Sequence, residues 1–179
     1  MDDFIRVYDN AIDEKTCEIL IHMFDISGYK QIVKNGGTPN FTILNLNQKH
    51  PEVIKLLSGI TVDCLKNYKK DFPDYTRWYP QRLFLEDFRI KKYHSRSPDR
   101  FDVHVDVGDH GTAVRYLSFI YYLNDDFTGG ETDFPTYSKK IVPKKGSVMI
   151  FPPTWQYPHA GLRVNKGVKY IMSTYCHYY

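Results

Sequence analysis

The chain has 179 residues, 42% apolar and 25% charged, with a formal charge of +3, the size and balance of one globular domain rather than two. It carries no apolar run long enough to cross a bilayer. Its acidic opening, Met1-Asp2-Asp3-Phe4, lacks the basic start and apolar stretch of a secretory signal. A single domain over 1–179, cytoplasmic and away from membranes, is the expectation. Three scattered cysteines, Cys17, Cys64 and Cys176, with no C-x-x-C pair, argue against a disulfide framework or a cysteine zinc site.

In chain order, Asp13 is a good N-cap ahead of an apolar stripe at Ile12, Cys17, Leu20, Ile21 and Phe24, and Gly28 closes it, so a helix is predicted near 13–25. Pro51 suits a first helical turn, and Val53, Ile54, Leu57, Thr61, Cys64, Leu65 and Tyr68 continue at helical spacing. The first 70 residues therefore read as helical support, with one early strand at 41–46. From about 80 onward the pattern turns to short runs of period two, broken by Gly, Pro, Asp and Ser. Strands are predicted at 82–93, 101–107, 112–123, 130–134, 139–142, 147–151 and 167–178. So many successive strands with no helix between them favour an antiparallel jelly roll, in an α+β but mainly β fold, buttressed by the N-terminal helices. Gly36-Gly37 and Ser95 to Pro98 have the composition of mobile rim loops.

Phe101-Asp102-Val103-His104-Val105-Asp106-Val107 alternates strictly. On a strand its apolar members would face the core, and Asp102, His104 and Asp106 would share the other face. His104 and Asp106 could then reach one metal ion, and a distant histidine would complete the facial arrangement of non-haem Fe(II) sites. Asp102 is a second carboxylate on that face. The pair alone also fits a solvated surface strand. His159 follows a loop rich in Pro and aromatics and precedes a strand beginning near Lys169; such a loop histidine is ordinarily a surface residue.

Taken in order, Tyr93-His94, His104-x-Asp106, the run from Arg115 to Asn124, Gly129-Gly-Glu-Thr-Asp-Phe-Pro135, Pro143-Lys-Lys-Gly-Ser147, His159-Ala-Gly161 and Lys169-Tyr170 resemble the Fe(II)- and 2-oxoglutarate-dependent dioxygenases of the prolyl 4-hydroxylase group. The opening from Tyr8 to Leu20 is similar to that group's first helix, and the short form resembles single-domain, phage-type members. The resemblance implies a double-stranded β-helix core, with His104, Asp106 and His159 as Fe(II) ligands. Its H-x-D order favours Asp106 over Asp102, which would either support a ligand from behind or sit at the rim. It also implies that Lys169 pairs with the distal carboxylate of 2-oxoglutarate and that Tyr93 and Tyr122 help to hold the same cosubstrate. Alternation agrees that Ser118, Ile120 and Tyr122 share one strand face, and Lys169, Ile171, Ser173 and Tyr175 another.

The activity implied is hydroxylation of an unactivated C–H bond coupled to conversion of 2-oxoglutarate to succinate and CO2, with ascorbate as reductant. By family analogy the substrate would be a prolyl residue of a peptide or protein. Tyr175, Trp155 and Arg115 are candidate substrate contacts, and Trp78, Tyr79, Trp155 and Tyr157 could grip a polyproline II segment. Basic bunches at 66–70, 89–96 and 139–145 and the 15 tyrosines leave a nucleic acid as second choice, without a recognised binding motif. A free amino acid or other small molecule is third. The non-enzymatic alternative is a jelly roll kept as a binding or structural module.

Overall fold

The computed structural model describes residues 3–34 and 37–178, so Gly36 in the expected Gly36-Gly37 rim loop lies outside the described residues. The long apolar runs near the C-terminus make the centre of one large antiparallel sheet. Its order is β1 (Arg6–Tyr8), β11 (Val148–Phe151), β7 (Arg115–Tyr122), β14 (Val168–His177), β5 (Arg89–His94), β3 (Asn40–Asn45) and β2 (Gln31–Lys34), with β4 (Phe84–Leu85) paired to the end of β14. A second sheet runs β10 (Lys139–Ile141), β9 (Thr132–Phe134), β12 (His159–Gly161) and β6 (Phe101–His104). A short ladder pairs β13 (Val164–Lys166) with β8 (Thr128–Gly129). This is the expected jelly roll.

The large sheet is covered on both faces, which explains why β7 and β14 are buried almost throughout rather than alternating in and out. One face takes α1 (Glu14–Ile26) and α3 (Ile54–Asp71). The Asp13 carboxylate caps α1 by accepting from the Thr16 amide at 2.9 Å, as expected. Cys17, Leu20 and Phe24 from α1, and Leu57, Leu65 and Tyr68 from α3, pack with Phe119, Tyr121 and Met172 of the sheet. Each fully buried side chain of this kind contributes about 1.5–3 kcal/mol. The Thr61 hydroxyl meets the Tyr121 hydroxyl at 2.8 Å and ties α3 to β7. The other face, with the second sheet, encloses a cluster that includes Tyr93, Tyr122, Phe134, Met149, Phe151 and Ile171.

The first 70 residues are not all helical: besides β3, they contain β1 and β2. β1 is three residues long and β2 is mostly exposed, so neither leaves a periodic signal, and both are held by the neighbours they pair with. Pro51–Val53 form a 3-10 turn ahead of α3, and a four-residue α2 (Leu46–Lys49) follows β3. The predicted 82–93 strand is two strands, broken where the Asn47 side chain accepts from the Phe88 amide at 2.8 Å. The predicted strand at 112–123 begins only at Arg115, because Asp109 and Thr112 close a turn before it.

Candidate metal centre and its pocket

His104 ends β6 and His159 begins β12, and the two are paired in register across the antiparallel ladder. That pairing sets the imidazoles beside each other, with ring centroids 4.4 Å apart. His159 is therefore a strand residue rather than a loop histidine; its three-residue strand is too short to show a pattern. β6 stops before Asp106, whose amide, with that of Val107, donates to the Pro153 carbonyl at 3.1 Å. Asp106 thus reaches the histidines by a bend of the chain and not by the pleat. The expected alternation fails accordingly: Val103 is 58% exposed, and Phe101 turns into the pocket to stack on His104, centroids 3.4 Å apart.

The Nε2 atoms of His104 and His159 each stand 3.6 Å from an oxygen of Asp106, and one ligand atom from each of the three residues lies within 4.8 Å of the others. On the far side of each ring Nδ1 lies against a main-chain carbonyl, that of Asp102 at 2.8 Å and that of Tyr157 at 3.1 Å. A carbonyl only accepts, so Nδ1 carries the proton and Nε2 presents its lone pair inward. Asp102 takes part through that carbonyl alone. Its carboxylate is exposed and paired with Arg100 at 2.7 Å.

Asp106 Oδ2 is buried with no hydrogen-bond donor. Burial by itself would raise the Asp106 pKa, but the two histidines and, more distantly, Lys91 hold it well below the carboxylate range. His159 is pushed down to about 4, chiefly by burial, against the pull of Asp106. An ionised carboxylate with an orphaned oxygen beside two imidazoles that turn Nε2 toward it is a donor set that fits a divalent transition metal and leaves a hydrogen-bonding deficit without one.

Lys169, on β14 opposite Tyr93 of β5, is 3% exposed. Burial draws its pKa down to about 7, with Glu131 opposing. Its Nζ donates to the Gly130 carbonyl at 2.5 Å and lies 5.6 Å from the ring centroids of both Tyr93 and Tyr122. Gly129 and Gly130 have φ of +74° and +71°, which only glycine adopts freely. A Cβ on Gly130 would come 3.2 Å from the Lys169 chain, so the turn is shaped around the lysine. Tyr93 lines the pocket, whereas the Tyr122 hydroxyl is engaged with Thr132 at 2.8 Å behind the wall. The cavity itself is about 30 Å³, room for a water. Anything larger needs the wall to open.

Tyr175 lines the same pocket, and the Arg115 guanidinium lies 4.0 Å over its ring. Arg115 is held by Glu86 and donates to the Asp106 carbonyl at 2.8 Å, so it braces the segment that carries Asp106. It also borders a neighbouring groove of about 390 Å³, lined by Tyr75, Trp78, Tyr79, Tyr116 and Tyr157 among others. Trp78, Tyr79 and Tyr157 are thus together; Trp155 is 77% exposed and lines neither cavity. Sequence reading missed Lys91, Phe101 and Thr132 as pocket residues and Glu86 as their neighbour's anchor. Only Lys91 left a signal, being two residues before Tyr93 on one strand face.

With this geometry in place, the likenesses to known proteins are specific. The family model for the 2OG-Fe(II) oxygenase superfamily matches residues 88–177. A protein of Acanthamoeba polyphaga mimivirus named "Putative prolyl 4-hydroxylase" is 37% identical over 65 residues, 32% of this chain and 27% of that relative. The match thus spans about a quarter of the relative's length. A viral collagen prolyl hydroxylase from Paramecium bursaria Chlorella virus-1, solved with 2-oxoglutarate, has TM-score 0.74 at 23% identity over 98% of this chain and 97% of its own. A Trichoplax adhaerens prolyl hydroxylase, solved with a hypoxia-inducible-factor peptide fragment, has TM-score 0.76 at 17% identity, covering 98% and 84%. A Pseudomonas putida prolyl-4-hydroxylase has TM-score 0.74 at 14% identity, covering 98% and 92%. At such identities the structural likeness speaks for the fold; the resemblance to the prolyl 4-hydroxylase group holds, and two of these relatives are viral.

Proposed function

The chain belongs to the 2OG-Fe(II) oxygenase superfamily, and from that premise we propose that it is an Fe(II)- and 2-oxoglutarate-dependent dioxygenase hydroxylating a prolyl residue of a peptide or protein. The observation that carries the reading is the unsatisfied Asp106 oxygen facing two inward Nε2 atoms. His104, Asp106 and His159 would hold the iron, which with 2-oxoglutarate and O2 would supply the oxidising chemistry, one oxygen atom of O2 going to the C–H bond and the other to succinate as CO2 is released.

The chain's own residues bind, orient and exclude. Lys169, with donors to spare beyond the Gly130 carbonyl, pairs with the distal carboxylate of the cosubstrate, a charge-assisted bond strengthened by burial. Tyr93 flanks that carboxylate, and Tyr122 acts through Thr132, which its hydroxyl holds in the pocket wall. Ile120, Ile171 and Phe101 supply the apolar lining that keeps water from the reacting centre. The carbonyls of Asp102 and Tyr157 fix the ligand imidazoles in one tautomer.

The peptide reading is supported by the aromatic groove that begins at Val107 and Arg115, beside Asp106, since rings of this kind receive polyproline II segments. The names of the structural relatives agree with it. Ascorbate enters by resemblance, as the reductant to include in an assay. Among the described residues no helix is long and apolar enough to cross a membrane.

The deciding experiment measures succinate from 2-oxoglutarate by anaerobically iron-loaded protein exposed to O2, alone and with proline-rich peptides, with His159→Ala as control. Turnover that requires iron and His159 and rises with peptide is expected. Stimulation by oligonucleotides or free amino acids instead of peptides would redirect the substrate assignment. Folded, iron-loaded protein that neither binds 2-oxoglutarate nor makes succinate would leave a jelly-roll binding module.

A further inference from the structure

The proposed reaction gives no task to the second lysine of the pocket. Lys91 sits on β5 between Ile43 of β3 and Ile171 of β14, and lines the cavity together with Asp106, Ser173 and Tyr175. The other two lysines of this strand pair are matched. Lys92, on the opposite face, is paired with Asp25 at 3.1 Å, and Lys169 donates to Gly130. Lys91 has only the Phe41 ring, 5.4 Å from its Nζ. Among the described residues, none gives it a hydrogen bond or ion pair. Burial is the largest influence on it and lowers its pKa, Arg89 and Arg115 add to that, and Asp106 and Glu86 oppose. An ammonium kept half-buried without a partner is costly, and its pairing is left to something the chain does not supply.

Counting charge narrows what that is. With Lys169 charged against the cosubstrate, the pocket wall carries two ammoniums, Lys91 and Lys169, against one carboxylate, Asp106. A divalent ion and a dicarboxylate cosubstrate neutralise each other, so filling the proposed site leaves the surplus positive charge in place. Lys169 accounts for the distal carboxylate. Lys91 enters two residues along from the Tyr93–Lys169 pair, toward Ser173 and Tyr175, the end at which Arg115 stacks on Tyr175 and the aromatic groove begins. That end of the pocket adjoins the groove.

We propose that Lys91 receives a carboxylate of the substrate, so that the compound hydroxylated carries an acidic group close to the oxidised carbon. The group would be an Asp or Glu beside the target residue of a peptide, or the carboxylate of a free amino acid. The assignment rests on the dioxygenase reading above.

The test is calorimetric binding to Mn(II)-loaded protein saturated with 2-oxoglutarate under anaerobic conditions, using matched probes: acetyl-Pro-Asp-amide with acetyl-Pro-Asn-amide, L-proline with L-prolinamide, and acetyl-Ala-Asp-amide with acetyl-Ala-Asn-amide. In the unaltered protein the acid of one pair should bind about tenfold tighter than its amide, the lower end for a hydrogen bond between charged groups. Lys91→Met should erase that preference and Lys91→Glu should reverse it, while the affinity of Lys91→Met for 2-oxoglutarate stays within about threefold of the unaltered protein. The peptide and amino-acid pairs distinguish the two sources of the carboxylate. Equal binding within every pair, a preference that persists in Lys91→Met, or loss of 2-oxoglutarate binding as deep as in Lys169→Met would overturn the assignment. An acid preference shared equally by the alanine pair would sink the prolyl reading and leave Lys91 in its role.

Discussion

The two faces of the large sheet are built from the same strands and serve opposite ends. Along β14, Tyr170, Met172 and Cys176 join the cluster under the helices, while Lys169, Ile171, Ser173 and Tyr175 line the pocket. Both sets are buried, yet the polar groups on them are treated differently. On the helix face Thr61 and Tyr121 satisfy each other, and Thr174 donates to the Glu86 carbonyl at 2.8 Å. On the pocket side Asp106 Oδ2 and the Ser118 hydroxyl have no partner. Among the described residues Lys91 has none either, and Lys169 sits in a site that pulls its pKa down to about 7. Unmet polar groups cost stability, so the pocket face is stabilised only when its ligands arrive, and the helix face carries the fold meanwhile.

The sharpest separation of the two faces is Asp106→Ala. Retained metal after dialysis, and succinate formation, should fall to background, while the melting temperature of the metal-free protein falls much less than that of a core variant. A fall in melting temperature as large as that of a core variant would break the comparison. Phe119→Ala, on the helix face and fully buried, should do the reverse, costing about 3–5 kcal/mol by urea denaturation while the folded fraction keeps its metal affinity. Lys169→Met should weaken 2-oxoglutarate binding by about 10- to 100-fold with metal affinity unchanged. An unaltered affinity for the cosubstrate would take Lys169 out of the site.

Two smaller effects follow from titration. Burial would raise the Glu86 pKa, but the bonds from Arg115 and His177 hold it below the usual range. A depressed carboxyl contributes stability above its unfolded pKa, about 4.3, and loses it as pH falls through the folded value. Melting curves from pH 6 down to 3 should show that loss, and Glu86→Gln should flatten it. With Lys169 near 7 when the pocket is empty, binding of 2-oxoglutarate at pH 8 should take up about one proton as the ammonium forms against the carboxylate. Titration calorimetry in two buffers of different ionisation enthalpy reads this directly, and Lys169→Met should show none.

What could be read without coordinates was what leaves a local or ordered trace. The helices near Asp13 and Leu57 were legible from spacing and capping. The central strands were legible from their apolar runs, and the pocket face of β14 from alternation at Lys169, Ile171, Ser173 and Tyr175. The ordered motifs from Tyr93 to Lys169 pointed to the family. Tertiary structure decided the rest. β1, β2 and β12 are too short or too exposed to carry a period and exist because a neighbour offers them hydrogen bonds. Asp106 reaches the histidines through the Pro153 carbonyl, and Phe101 leaves the core to stack on His104. Lys91 is an ordinary strand lysine in sequence and an unmatched cation only once β3, β14 and Asp106 surround it. Periodicity records which face a residue takes; whether a charge on that face finds a partner depends on groups far away in the chain, and only the packed fold brings those together.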